Sequence, residues 1–126
     1  MLSQSIHQQN AVLGTALRGQ ALRIDSIQNN IANAETPRFT AKRVEFESAL
    51  SDAISEWRNT GNLDLTRAAR PTVSFQDFGT RYRLDGNNVD IEREMVALFS
   101  ESVRYDVMVN SVLHNSRLLN TVMQGR

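Results

Sequence analysis

The chain has 126 residues and zero formal net charge, 14 basic side chains against 14 acidic ones. It is one domain's worth of material without the basic face that a nucleic-acid binder needs. Apolar residues make up 40% but aromatics only 6%, which suits helices packed through aliphatic stripes better than an aromatic-rich sheet sandwich. With no cysteine, neither a disulfide framework nor a thiolate site is available, and no run approaches the ~18 apolar residues that suggest a membrane span.

The first predicted element is a helix over 3–33. Ile6, Leu13, Gln20 and Ile27 form one seven-residue series and Asn10, Leu17, Ile24 and Ile31 the other, the alternating spacing of a coiled-coil-like seam. At 1.5 Å per residue this helix is about 43 Å long, so its stripe needs a partner helix. Two seam positions, Asn10 and Gln20, are amides that either fix register or sit at the seam's wet edge. Gly14 and Gly19 each cost about 1 kcal/mol of helix propensity relative to alanine, so the helix gains its order by packing.

Asn33 is predicted to close this helix in the left-handed conformation, and Pro37 excludes helical geometry at Thr36. The run Asn30-Ile31-Ala32-Asn33-Ala34-Glu35-Thr36-Pro37-Arg38-Phe39 resembles the Asn-x-Ala-Asn-x-x-Thr-Pro-Gly-Tyr signature of the bacterial flagellar axial proteins, which build rod and hook. Asn30, Ala32, Asn33, Thr36 and Pro37 match the signature, and Phe39 keeps the ring of its tyrosine. Arg38 replaces the glycine. A Pro-Gly type II turn needs positive φ at that position, so arginine predicts a type I turn or an extended chain instead. Lys42, Arg43, Phe46, Glu47 and Leu50, with the later Leu84-Asp85-Gly86-Asn87-Asn88-Val89-Asp90, extend the resemblance to the proximal rod members of that family.

Phe46, Leu50, Ala53, Ile54 and Trp57 predict an amphipathic helix over 44–58, with Glu45 and Glu47 in its first turn, Arg58 at its end and Thr60-Gly61-Asn62 as its stop. Phe39, Phe46 and Trp57 are the candidates for anchoring the corner to the seam. Residues 61–88 are the least regular part, with arginines 67, 70, 81 and 83 and two β-leaning pieces at 72–75 and 80–84. A loop of this length is expected to be disordered in the free protein, its arginines either solvated or docking an acidic partner. Asp85-Gly86-Asn87-Asn88 is a turn sequence, and Asp90 is placed to cap a helix over 90–123 whose first turn holds Glu92 and Glu94. Its seam has Ile91, Leu98, Tyr105, Val112 and Leu119 in one series and Met95, Ser102, Val109, Ser116 and Met123 in the other. The economical arrangement pairs the two terminal helices with each other and with neighbouring copies.

No catalytic constellation emerges. Residues 85–90 carry glycine at the second rather than the sixth place of a calcium loop, with Val89 where an oxygen ligand is wanted. His7 and His114 lack neighbouring ligands, and Gly14 and Gly19 lie within a helical pattern rather than a phosphate cradle. Neither a metal nor a cofactor is expected.

The predicted fold is mainly α and a single domain over 1–126, with long N- and C-terminal helices packing as a coiled-coil-like bundle, a shorter helix and an irregular central segment with short β pieces. The predicted assembly seam comprises Ile6, Leu13, Leu17, Ile24, Ile27, Ile31, Ile91, Met95, Leu98, Tyr105, Val109, Val112, Leu119 and Met123. The amino terminus reads as having no basic region followed by an apolar core, which by itself suggests a cytoplasmic protein. The resemblance implies otherwise: a non-enzymatic subunit of the periplasmic rod, exported without a cleaved signal peptide. It also implies partners, namely further copies, other rod proteins, the adaptor joining rod to inner-membrane ring, and the flagellar export apparatus. Another small rod subunit and a non-flagellar dimeric helical adaptor remain the alternatives. Trimming Ile24, Ile27 and Ile31 to alanine is expected to abolish motility while leaving expression intact.

Overall fold

A computed structural model describes residues 1–76 and 83–125. In chain order it contains α1 (Leu2–Ala32), β1 (Lys42–Glu45), α2 (Glu47–Thr60), β2 (Thr72–Phe75) and α3 (Ile91–Met123). The two terminal helices, about 46 and 50 Å long at 1.5 Å per residue, pack along each other. Three polar contacts fix their sense. Asn115 Nδ2 donates to Asn10 Oδ1 at 3.1 Å, Gln20 Nε2 donates to the Glu101 carbonyl at 3.1 Å and to its carboxylate, and Asn30 Nδ2 donates to Glu94 Oε2 at 3.1 Å. Since the α3 number falls as the α1 number rises, the pair is antiparallel.

Both seam amides therefore bond across to α3. Gln20 is only 2% exposed and Asn10 is half-buried, so Gln20 is an interior group tied to a particular residue of the opposite helix, as a register device requires. On α3, Leu98, Tyr105, Val112 and Leu119 share a stripe with Glu94, Glu101 and Asn115, the residues that bond α1, and are half-buried there with Val109. On α1, Ile6 and Ile27 are buried and Leu13, Leu17, Ile24 and Ile31 half-buried. Ile91, Met95 and Met123 remain exposed in the single chain.

The second helix begins later than predicted. Residues 42–45 form β1, antiparallel to β2 with Lys42 opposite Phe75 and Glu45 opposite Thr72, so Val44 and Glu45 are strand residues and only Glu47 lies in the first turn of α2. The free edge of β1 is occupied by α1 side chains. Asn30 Oδ1 accepts from the Lys42 N–H and its Nδ2 donates to the Lys42 carbonyl, both at 2.9 Å, while Arg23 donates to the Val44 carbonyl at 2.8 and 3.0 Å. Backbone groups that would seek another strand are thereby satisfied.

Phe46, buried between β1 and α2, lies against Gly19, where an added Cβ would sit 2.5 Å from the ring. The glycine that weakens α1 is the notch into which the corner docks. Arg23 stacks over the same ring, 4.9 Å from its centroid, and pairs with Glu47. From there α2 runs back along α1 until Gly61, at φ +74, stops it with its N–H on the Trp57 carbonyl at 2.8 Å. Among the described residues, no helix is long and apolar enough to cross a membrane.

Candidate assembly interface

The end of α1 and the start of α3 meet at a corner held by amides. Asn33 closes α1 at φ −100°, ψ 14°, not in the expected left-handed conformation, because its Nδ2 turns back to the Asn29 carbonyl at 2.8 Å and its N–H stays with the last helical turn. Its own carbonyl accepts from the Thr36 N–H at 3.0 Å, and its Oδ1 from the Thr36 hydroxyl at 3.2 Å. Phe39 N–H then reaches the Thr36 carbonyl at 3.3 Å, closing a turn around Pro37 and Arg38.

Arg38 departs from its sequence expectation. It takes φ +58°, the left-handed conformation that its side chain was expected to refuse. The cause lies across the corner, where the Asp85 carbonyl accepts the Arg38 N–H at 2.9 Å. Gly86, at φ +81°, packs against Arg38, and a Cβ there would come within 3.4 Å of Arg38 Cγ. Tertiary contact overrides local preference.

The turn before α3 clasps this corner from the other side. Asn87, wholly buried, donates through Nδ2 to the carbonyls of Asn33 (3.0 Å) and Thr36 (2.7 Å) and accepts from the Val89 N–H at 2.8 Å. Asn88 accepts from the Ala41 N–H at 2.7 Å and donates to the Gln76 carbonyl at 2.7 Å. Ala34, Ala41 and Val89 form a small apolar knot with Phe39 packed against it. Arg83, one of the four arginines with two readings, docks within the chain instead: it pairs with Glu35 at 3.0 Å, approaches Asp85 and donates to the Ala34 carbonyl at 2.9 Å. Its guanidinium holds the Glu35 carboxyl below its ordinary pKa. Residues 80–82, with Arg81, lie outside the described residues, while Arg67 and Arg70 are exposed.

Asn30 joins the corner to both helices and the sheet. Besides Lys42 it holds Glu94, which is 2% exposed and approached by Arg43 at 3.5 Å. Of the other signature residues, Ala32 and Pro37 are exposed, and Phe39 is half-buried. Trp57 is half-buried beside Val12, Leu13, Ile54 and Asn115 around a cavity of about 230 Å³. Sequence reading passed over the interior roles of Asn87, Asn88 and Glu94, since a turn motif and a helix-start carboxylate already accounted for them. The density of asparagines at 30, 33, 87 and 88 was the available signal.

The face of α3 turned away from α1 is also apolar. Val96 (70% exposed), Phe99 (74%), Val103 and Val107 recur at three and four residues, flanked by Met95. The seven-residue series predicted the inner stripe and missed this one. Farther along, the same face turns polar with Asn110, His114 and Arg117.

No family model matches the chain. It is similar to curated proteins named flagellar basal body rod protein FlgB: 30% identical over 123 residues to that of Bacillus subtilis (strain 168), covering 90% of this chain and 91% of the relative. It is 32% identical over 117 residues to that of Borreliella burgdorferi, covering 82% and 87%. With the Salmonella typhimurium protein the identity is 30% over 122 residues, covering 87% and 88%. The chain belongs to the FlgB family. It is thus a structural component of the bacterial flagellar basal-body rod, which decides against the adaptor reading and, on sequence similarity rather than geometry, against other small rod subunits.

Proposed function

We propose that this FlgB-family chain builds the proximal part of the rod by polymerising, with the outer face of α3 as its principal contact. The observation that supports this most is the row Val96, Phe99, Val103 and Val107, left uncovered in the single chain although α3 already buries a different stripe against α1. An apolar row of this kind marks an interaction site, and head-to-tail contacts that do not close a ring generate a filament. Ile91, Met95 and Met123, exposed members of the predicted seam, belong to the same assembly surface. The remaining seam residues act one step back, by holding α1 and α3 together so that the outer row is presented rigidly.

On this reading the chain is a single folding unit and no catalyst. It leaves the cell through the flagellar export apparatus without a cleaved signal peptide and sits in the periplasmic rod beside other rod proteins and the adaptor to the inner-membrane ring. Trimming Ile24, Ile27 and Ile31 does not test this, because Ile27 is 4% exposed and its loss would unfold the monomer as well. Replacing Phe99 and Val103 with serine does. The double variant should be expressed and fold, yet be absent from isolated basal bodies and fail to support swimming. Normal swimming would overturn the proposal.

A further inference from the structure

We infer that Arg38 is an intersubunit contact residue whose guanidinium pairs with a carboxylate of a neighbouring rod subunit, an assignment that rests on the rod-assembly reading above. Arg38 is the one non-glycine residue at positive φ among those described. Its backbone is fixed from both sides, by its own N–H on the Asp85 carbonyl and by the Phe39 N–H on the Thr36 carbonyl, with Gly86 packed beneath. The side chain therefore leaves an exposed, rigid platform.

Among the described residues, three arginines near this end of the molecule have carboxylates within the chain: Arg23 has Glu47 and Glu101, Arg43 has Glu94, and Arg83 has Glu35 and Asp85. The two acids of the corner that pair with Arg83, Glu35 and Asp85, are thus already engaged. Arg38 itself has no ion-pair partner among the described residues. The Asp85 contact accounts for the backbone of Arg38, whereas the guanidinium it presents meets no carboxylate among the described residues and is open to one outside the chain. A guanidinium matches a carboxylate with two parallel hydrogen bonds. A polyanion would gain little from this one guanidinium on a net-neutral chain, whereas a subunit carboxylate requires only one.

The test uses assembled basal bodies. Wild-type and Arg38→Gly chains are co-expressed and their ratio in basal bodies is read by mass spectrometry. Depletion of the variant by about tenfold is expected, the effect of losing one charge-assisted hydrogen-bonded contact. Its thermal midpoint as a monomer should be no lower than wild type, because glycine accepts positive φ; Arg38→Asn, which also tolerates that conformation, should behave alike. In a second arm, Arg38→Lys basal bodies are treated with a zero-length carbodiimide, and links from residue 38 are mapped separately from those of Lys42, the chain's one native lysine. Links to an aspartate or glutamate of another subunit are expected. Equal incorporation of Arg38→Gly overturns the inference, as does a residue 38 that links to nothing or only to carboxylates of its own chain. In both cases a chain present in basal bodies leaves the rod reading standing, while absence of the wild-type chain from them would remove both.

Discussion

Gly19 lies mid-helix because nothing larger fits beneath Phe46. Its propensity cost of about 1 kcal/mol is offset by letting a buried ring approach the α1 backbone, where an added Cβ would sit 2.5 Å from that ring. Gly19→Ala should therefore destabilise the monomer by about 1–3 kcal/mol in urea unfolding, against the sign that helix propensity alone predicts. Pairing it with Phe46→Leu should recover part of the loss. Arg38 has the opposite relation to its backbone. Relief of about 1–2 kcal/mol of left-handed strain, less about 0.7 kcal/mol of added unfolded-state freedom, leaves Arg38→Gly more stable by about 0.3–1.3 kcal/mol. The same urea titration reads that gain as a higher midpoint with unchanged slope. Asn87→Ala would leave the Asn33 and Thr36 carbonyls and the Val89 N–H without their shared partner, a loss of about 3 kcal/mol in a corner with little apolar material to compensate.

At the scale of elements, the long helices were legible because thirty residues of three-and-four spacing outweigh any local ambiguity, and Asp90 marks the start of α3 by accepting the Arg93 N–H at 3.2 Å. The four-residue β1 was not. Its alternation is too short to register, and the four-residue step from Phe46 to Leu50 suggested carrying the helix back to Val44. What makes 42–45 a strand is remote: Asn30 and Arg23 on α1 bind one edge and β2 the other. The corner's position was readable from Asn33 and Pro37, but its φ at Arg38 depends on Asp85, far along the sequence.

The junction of β1 and α2 also carries a pH dependence. Hydrogen bonds from Arg23 hold the Glu47 carboxyl at about 2, below its ordinary 4.5. A carboxylate depressed on folding contributes fully above about pH 5, and the contribution fades as pH falls through about 2. Because the Glu47 side chain is 56% exposed, solvent screening keeps the effect modest. Urea midpoints followed from pH 6 to pH 2 should drop less steeply for Glu47→Gln than for wild type.

At the scale of the whole molecule, the α1–α3 pair covers most of the predicted seam, apart from Ile91, Met95 and Met123, and leaves a second apolar row facing out, so that on the proposed assembly folding and association draw on different sides of α3. This separation has a measurable signature. Association through Val96, Phe99, Val103 and Val107 is driven by apolar burial, which sulfate strengthens by exclusion from protein surface, whereas association carried by surface ion pairs weakens as salt screens them. In sedimentation velocity, the average mass of the purified chain should therefore rise with concentration and rise further with sulfate. Phe99→Ser with Val103→Ser should stay monomeric under the same conditions. Its thermal midpoint should lie close to wild type, because Phe99 is 74% exposed before any partner arrives. If the variant instead melted far below wild type, the outer row would be part of the fold; if sulfate dissolved the assemblies, charge rather than apolar contact would hold them.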